Sequence, residues 1–133
     1  MADPSRPLRV CYVIWSLGLG GAEQVVIRLA TGLDRRRFEP LIVCLNEAGS
    51  FAEQATQQGI EVIALHKRGP IDLGVVWRLI RLMRSRQIDI VHTHLWGANL
   101  WGRLAACLAR IPVIIATEHS HDTWKGTMHF LLD

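Results

Sequence analysis

Short, almost wholly apolar segments alternate along this chain with longer segments in which apolar residues recur every three or four positions. The apolar segments are residues 8–15, 40–45, 60–65, 88–93 and 112–117. The amphipathic segments between them are residues 22–33, 51–58, 73–86 and 98–110. Strands without polar alternation must be covered on both faces, and parallel strands are joined through helices. The alternation therefore predicts an α/β domain, a Rossmann-like parallel sheet with helices on both faces.

The size and composition of the chain fit one such domain. Its 133 residues are 50% hydrophobic and 20% charged, which is enough apolar material for a core and argues against disorder. The polar residues 1–7 contain two prolines and predict a loose leader, with the domain itself at residues 8–133. Residues 124–133 begin a further helical pattern that stops unfinished, so we expect the domain to be truncated at its C-terminus.

The cysteines and the lengths of the apolar segments indicate the cellular compartment in which the protein is expected. Cys11, Cys44 and Cys107 are far apart and lie in apolar or helical segments, as is typical of reduced core thiols. The first residues lack the basic and apolar regions of a signal peptide, and the apolar runs are too short to span a bilayer. We therefore expect a cytoplasmic protein.

The modest net charge of +3 is concentrated in a few places. The largest group of basic residues lies on the third helical segment and comprises Arg78, Arg81, Arg84 and Arg86. Aromatic residues are not interleaved with the basic residues as in nucleic-acid modules, so no nucleic acid is expected as a partner. With Trp77 beside it, this basic helix raises the hypothesis of peripheral contact with an anionic membrane at the inner face of the plasma membrane. An ordinary solvated helix face is the alternative.

The turn after the first apolar segment is rich in glycine, with Gly18, Gly20 and Gly21 placed between strand and helix. Such a turn offers backbone N–H groups and a helix N-terminus, which together attract anions. The pattern approaches the dinucleotide fingerprint, but Glu23 stands where that fingerprint has a small residue, and its carboxylate would repel a pyrophosphate. The loop indicates a phosphorylated or otherwise anionic ligand, and a turn that binds nothing is the alternative.

Most histidines follow the predicted strands at the carboxyl edge of the sheet, where open parallel sheets bind ligands. They are His66, His92, His94, His119 and His121. The His-x-His pairs at 92–94 and 119–121 have a spacing that could present imidazoles to a metal, but few carboxylates accompany them. We expect histidines that line a pocket through hydrogen bonds, and no metal.

A succession of short motifs follows the predicted strand ends. They are Gly20-Gly21-Ala22-Glu23 with Leu29-Ala30, Gly59-Ile60-Glu61-Val62, Asp89-Ile90-Val91-His92-Thr93-His94 and Thr117-Glu118-His119. Their order and spacing over residues 8–121 resemble glycosyltransferase family 4, the retaining sugar-nucleotide transferases of the GT-B fold. The resemblance implies an enzyme with its active site between two Rossmann-like domains. It makes this chain one half of the GT-B architecture, the N-terminal acceptor-side domain, without the C-terminal donor-binding domain.

The resemblance also implies roles for individual residues. Gly20 and Gly21 would approach the donor diphosphate and the acceptor. His94 and Asn99 would line the acceptor side, and His119 would be the catalytic histidine that positions the transferred sugar. The substrates would be a nucleotide-sugar donor and a glycan, lipid-linked or small-molecule acceptor. No cofactor is expected, since N–H groups and an imidazole can stabilise the departing diphosphate without a metal.

Two other functions stay open on the residues alone. A nicotinamide-nucleotide-binding oxidoreductase domain would use Glu47, after the second strand, to bind the ribose, although Glu23 argues against it. A non-catalytic α/β binding module is favoured if the protein ends at Asp133. The leading prediction is a hexosyltransferase-like enzyme of polysaccharide biosynthesis. Its isolated acceptor-side domain is expected to be inactive, because half of the cleft is missing.

Overall fold

The computed structural model describes residues 4–18 and 20–118. Its strands are β1 (Leu8–Ile14), β2 (Phe38–Cys44), β3 (Glu61–Ala64), β4 (Ile90–His94) and β5 (Val113–Thr117). Its helices are α1 (Gly21–Gly32), α2 (Ala52–Gln57), α3 (Leu73–Ser85) and α4 (Trp96–Leu108). Every strand and helix predicted for this part of the chain is present, with its bounds within two residues of the prediction. The helix predicted at 124–133 lies outside the described residues.

The strands form one parallel sheet in the order β3-β2-β1-β4-β5. The central strand β1 pairs with β2 from Leu8 opposite Phe38 to Ile14 opposite Cys44, and with β4 on its other side. The chain moves outward from β1 through β2 to β3 and then crosses back to β4. A reversal of this kind separates the loops that follow β1 and β4 and leaves a crevice at the carboxyl edge of the sheet.

Two cores lie on opposite faces of the sheet, and successive residues of β1 contribute to them in turn. Tyr12 and Ile14 pack with residues of α1 and α2, whereas Cys11 and Val13 pack with residues of α3 and α4. Burial raises the pKa of the Cys11 thiol to about 12, so this thiol is protonated at neutral pH and behaves as a small apolar side chain. Within the described residues, no helix is long and apolar enough to cross a membrane.

The buried face of α1 differs from the predicted one. The spacing of apolar residues predicts Ala22, Val26, Leu29 and Leu33 as its inner stripe. In the structure Val26, Ile27 and Ala30 are buried, whereas Leu29 is exposed. Most positions from 25 to 30 are apolar, so periodicity alone does not select a face, and contact with the sheet decides it. The same spacing predicts Val76, Ile80 and Met83 on the inner face of α3, and the structure confirms that all three are buried.

Ion pairs tie down the amino edge of the sheet. The guanidinium of Arg6, in the segment predicted as a leader, donates to both oxygens of Asp89 at 2.9 and 3.2 Å. The same carboxylate accepts the backbone N–H of Arg9 at 2.8 Å. Arg86 donates to both oxygens of Glu61 at 2.7 and 2.8 Å, and this pairing lowers the pKa of the Glu61 carboxyl. These contacts lie at the edge opposite the glycine-rich loop.

Close packing of α4 on the sheet depends on Gly102. A Cβ there would lie 2.6 Å from Cγ2 of Thr93 and 3.2 Å from Cγ1 of Val13, two branched side chains with little freedom to rotate. We expect Gly102→Ala to lower the free energy of unfolding by about 1–3 kcal/mol, measured by urea denaturation. The control is Gly32→Ala, where nothing lies within 4 Å of the added Cβ, and it should be neutral or slightly stabilising. Equal losses at both positions would contradict this packing argument.

Candidate functional site

The candidate site is the crevice at the carboxyl edge, between the loop that follows β1 and the start of α4. Hydrogen bonds from the β2–α2 loop hold the β1–α1 loop in place. Asn46 N–H donates to Trp15 C=O at 2.9 Å and extends the β1–β2 pairing beyond the strands. Leu17 N–H donates to Ala48 C=O at 2.9 Å, and Leu17 C=O accepts Phe51 N–H at 2.8 Å. The glycine-rich loop is therefore anchored through Leu17.

A glycine in the β2–α2 loop permits this close approach. Gly49 has a φ of +88°, in the left-handed region that favours glycine. A Cβ at this position would overlap the carbonyl carbon and oxygen of Leu17 and would lie 2.8 Å from the backbone nitrogen of Gly18. The two loops can therefore pack backbone against backbone only if residue 49 has no side chain.

The N-terminus of α1 opens into this edge of the sheet. Gly20 is its N-cap and supplies no side-chain hydrogen bond, so the first N–H groups of the helix are not capped by that residue. The Glu23 carboxylate folds back over Gly20, where an added Cβ would overlap it. A negative charge at this point weakens the attraction of the helix N-terminus for phosphate, as expected from the sequence, and it can accept a hydrogen bond from a hydroxyl group.

The two histidines of β4 lie on the α1 side of the sheet with Tyr12. The ring centroids of His92 and His94 are 4.1 Å apart, and those of Tyr12 and His92 are 5.5 Å apart. His92 Nε2 lies 2.8 Å from Thr117 Oγ1. His94 is fully buried. It therefore helps to pack the strand end beneath the crevice, and its predicted acceptor-side role stays a prediction.

Asn99 lies on the other face of the sheet and joins α4 to the ends of β4 and β5. Its Oδ1 accepts a hydrogen bond from the Thr93 hydroxyl at 2.6 Å. Its Nδ2 donates to Thr117 C=O at 3.4 Å and to Glu118 Oε1 at 3.3 Å. The roles of Thr93 and Thr117 were not predicted, although hydroxyl groups near the ends of apolar strands often form such links. Asn99 thus fixes the direction of Glu118 at the rim of the crevice.

A single residue connects β4 to α4, and its backbone is strained. Leu95 has φ +72° and ψ 160°, a region that residues other than glycine rarely adopt. Its N–H donates to Thr117 C=O at 3.0 Å, and its C=O accepts Asn99 N–H at 2.8 Å. The predicted start of α4 at Ala98 is corrected to Trp96, since a one-residue turn through leucine has no sequence signal.

Lys67 is buried, although a lysine in a loop is ordinarily expected in solvent. Its Nζ lies 5.4 Å from the ring centroid of Trp15 and 5.4 Å from that of Trp101. The ammonium group also donates to Gly69 C=O and, at 3.0 Å, to Pro70 C=O. Cation–π and carbonyl contacts compensate for the loss of water around the charge. Lys67 therefore connects the β3–α3 loop to the β1–α1 loop and to α4.

A metal centre was the weaker alternative for the paired histidines. Among residues 4–18 and 20–118, no three His, Cys, Asp or Glu side chains are placed to hold a metal ion. His119 and His121 lie outside the described residues, so the second pair is not covered by this finding.

The comparison with protein families decides the identity of this α/β domain. The model of Glycosyltransferase Family 4 matches residues 19–132. The chain belongs to glycosyltransferase family 4. The resemblance seen in the sequence is thus confirmed, and it favours the glycosyltransferase over the nicotinamide-nucleotide alternative.

A curated relative of this family 4 domain is much longer than the chain. Over 123 residues the chain is 24% identical to the Escherichia coli UDP-Gal:alpha-D-GlcNAc-diphosphoundecaprenol alpha-1,3-galactosyltransferase. The match covers 90% of this chain and 32% of the relative. The chain therefore spans about a third of the length of that protein.

Solved structures support the fold of the family 4 domain. Anabaena Alr3699/HepE in complex with UDP and glucose matches with a TM-score of 0.64 and 24% identity, over 80% of this chain and 28% of that one. Acinetobacter baumannii MurG matches with a TM-score of 0.66 and 18% identity, over 91% of this chain and 44% of that one. The predicted Rossmann-like half of a GT-B architecture is confirmed.

Four of the predicted site residues lie at one edge of the family 4 domain. Gly20 and Gly21 begin α1, His94 ends β4, and Asn99 lies in the first turn of α4. Their assigned roles in binding substrate stay predictions. His119, the predicted catalytic residue, lies outside the described residues.

The contact between the β1–α1 and β2–α2 loops can be tested with two matched glycines. Gly49→Ala combines an unfavourable φ with overlap against Leu17, whereas Gly69 has a similar φ of +67° and open space around it. We expect Gly69→Ala to cost about 1–2 kcal/mol of unfolding free energy, from the left-handed backbone alone. Gly49→Ala should cost at least about 1 kcal/mol more and should alter the amide NMR signals of the β1–α1 loop. Equal costs, or an unchanged loop, would contradict the contact.

Proposed function

We propose that this chain is the acceptor-side domain of an enzyme that transfers a hexose from a nucleotide-sugar donor to an acceptor in polysaccharide biosynthesis. The observation that carries the proposal is the match of the family 4 model to residues 19–132. The name of the Escherichia coli relative includes a UDP-sugar donor and a diphosphoundecaprenol acceptor, and HepE was crystallised with UDP and glucose. Both support a UDP-sugar as donor and a glycan or lipid-linked molecule as acceptor. The enzyme is proposed to work in the cytoplasm.

The proposed reaction moves a sugar from a phosphate oxygen to an acceptor oxygen. In the reaction the bond between the anomeric carbon and the phosphate oxygen breaks, and the diphosphate leaves with the electron pair. The acceptor oxygen bonds to the anomeric carbon, and its proton passes to the departing diphosphate. Glu23 folded over Gly20 suits a hydroxyl group better than a free phosphate, which supports an acceptor on this side. The donor would be held mainly by a second Rossmann-like domain, and closure of the two would exclude water.

The proposed activity can be measured as release of UDP. The protein in its natural full length would be incubated with UDP-galactose, UDP-glucose or UDP-N-acetylglucosamine, with and without a synthetic sugar-diphospholipid acceptor. We expect one donor to give acceptor-dependent UDP release, whereas residues 1–133 alone should give none, because the donor half of the cleft is missing. No release with any nucleotide-sugar would contradict the proposed function. Robust transfer by residues 1–133 would contradict its division between two domains.

His119 is proposed as the residue that positions the transferred sugar. His119→Asn in the full-length enzyme should lower kcat about 10²–10³-fold and leave the Tm unchanged, since a positioned polar group acts mainly on the transition state. His66→Asn is the matched control, because His66 is exposed at the same edge and asparagine tolerates its φ of +51°. Similar kcat values for the two variants, or a large fall in Tm for His119→Asn, would contradict the proposed role.

A further inference from the structure

The two helical faces of the sheet differ in charge. Helices α3 and α4 cover one face and contain four arginines but no aspartate or glutamate, a net charge of +4. Helices α1 and α2 cover the other face and contain one arginine and two glutamates, a net charge of −1. The formal net charge of the entire chain is +3. Of the two faces formed by the four described helices, only the α3–α4 face therefore carries a net positive charge.

The same face carries exposed apolar side chains along the line where α3 and α4 meet. Leu73 and Trp77 of α3 are 73% and 61% exposed. Leu104 and Leu108 of α4 are 43% and 53% exposed. We call these residues the α3–α4 seam. They border a groove that Arg84 also lines. A continuous apolar surface of this kind with a basic border marks an interaction site.

Two arginines of the predicted basic cluster are bound by other residues of the chain and are not available to a partner. Arg78 pairs with Asp72 at 3.0 Å and also donates to Leu65 C=O, so its guanidinium is held at the β3–α3 loop. Arg86 pairs with Glu61 at the amino edge. The cluster that faces outward is thus smaller than the sequence suggested and consists of Arg81 and Arg84, both exposed.

Arg84 lies beside the seam, since it donates to Leu108 C=O at 3.3 Å. Its long side chain can therefore follow the apolar groove while the guanidinium stays at the surface. Arg81 lies on the same helix one turn earlier. Trp77 combines a large apolar ring with an N–H donor, the combination that is enriched where hydrocarbon meets lipid headgroups.

We propose that the α3–α4 seam docks on an anionic lipid bilayer. The seam residues enter the boundary between headgroups and acyl chains, and Arg81 and Arg84 contact lipid phosphates. The charge of this face favours lipid over a second copy of the chain. A second α3–α4 face would add only further positive charge, since neither α3 nor α4 supplies a carboxylate to pair with the arginines.

The test is co-sedimentation of the full-length protein with vesicles of phosphatidylcholine, alone or with about 30% phosphatidylglycerol. The wild-type protein should pellet with the anionic vesicles at low salt, bind neutral vesicles more weakly, and be partly released by high salt. Arg81→Glu with Arg84→Glu should lower the partition coefficient at least about thirtyfold. Leu73→Ser with Trp77→Ser should lower it about tenfold or more.

The matched control is Arg28→Glu with Arg36→Glu, which makes the same change in net charge away from the α3–α4 face. This control should retain most of the binding. An equal loss in the control and the Arg81/Arg84 variant would overturn the proposal, since net charge would then explain the binding. Failure of the wild-type protein to bind anionic vesicles at low salt would also overturn it.

A further measurement separates lipid contact from misfolding and from self-association. Brominated lipids should quench part of the tryptophan fluorescence of the wild-type protein and quench that of Trp77→Phe less, at equal Tm. Equal quenching in the two proteins would exclude Trp77 from the bilayer and overturn the proposal. A wild-type dimer in sedimentation velocity that Trp77→Ser converts to a monomer, without vesicle binding by either, would assign the seam to a second copy instead.

Discussion

Hydrogen-bonded pairing of β1 with β2 on one side and with β4 on the other is the constraint on which the rest of this structure depends. The central strand contributes alternate side chains to two cores, so any shift in its register would move apolar groups from one core to the other. The pairing with β2 continues into the loops through Asn46 and Trp15. The position of the glycine-rich loop therefore depends on the pairing of the strands more than on the residues of the loop.

The elements of the fold were predictable because both faces of the sheet are covered. Strands of this kind are uninterrupted apolar segments, and the helices between them show periodic apolar positions, so each boundary is marked in the local sequence. The inner face of α1 was predicted less well, because a run of apolar residues is compatible with several buried faces. Contact with the sheet determines that Ile27 is buried and Leu29 is exposed.

The contacts within the crevice were harder to predict, because they join residues distant in the sequence. Lys67 between Trp15 and Trp101 depends on three separate segments meeting, and a basic residue in a loop is ordinarily expected in solvent. Leu95 has a positive φ, which leucine rarely adopts, so its conformation could not be predicted locally. Backbone hydrogen bonds to Thr117 and Asn99 hold it. Hydrophobic periodicity predicted the fold but not the family. The family was identified from several short motifs, each weak alone, that occur in a characteristic order.

The direction of α3 has a consequence for how an acceptor would reach the crevice. This helix begins at Leu73, at the carboxyl edge of the sheet, and its C-terminal end lies beside that of α4, where Arg84 contacts Leu108. In the proposed docking both helices lie flat on the bilayer. The strands then run roughly parallel to the lipid surface, and the crevice opens in a direction parallel to that surface. If the proposed enzyme takes a lipid-linked acceptor, that acceptor would reach the crevice by lateral diffusion within the bilayer, and its search would be confined to two dimensions.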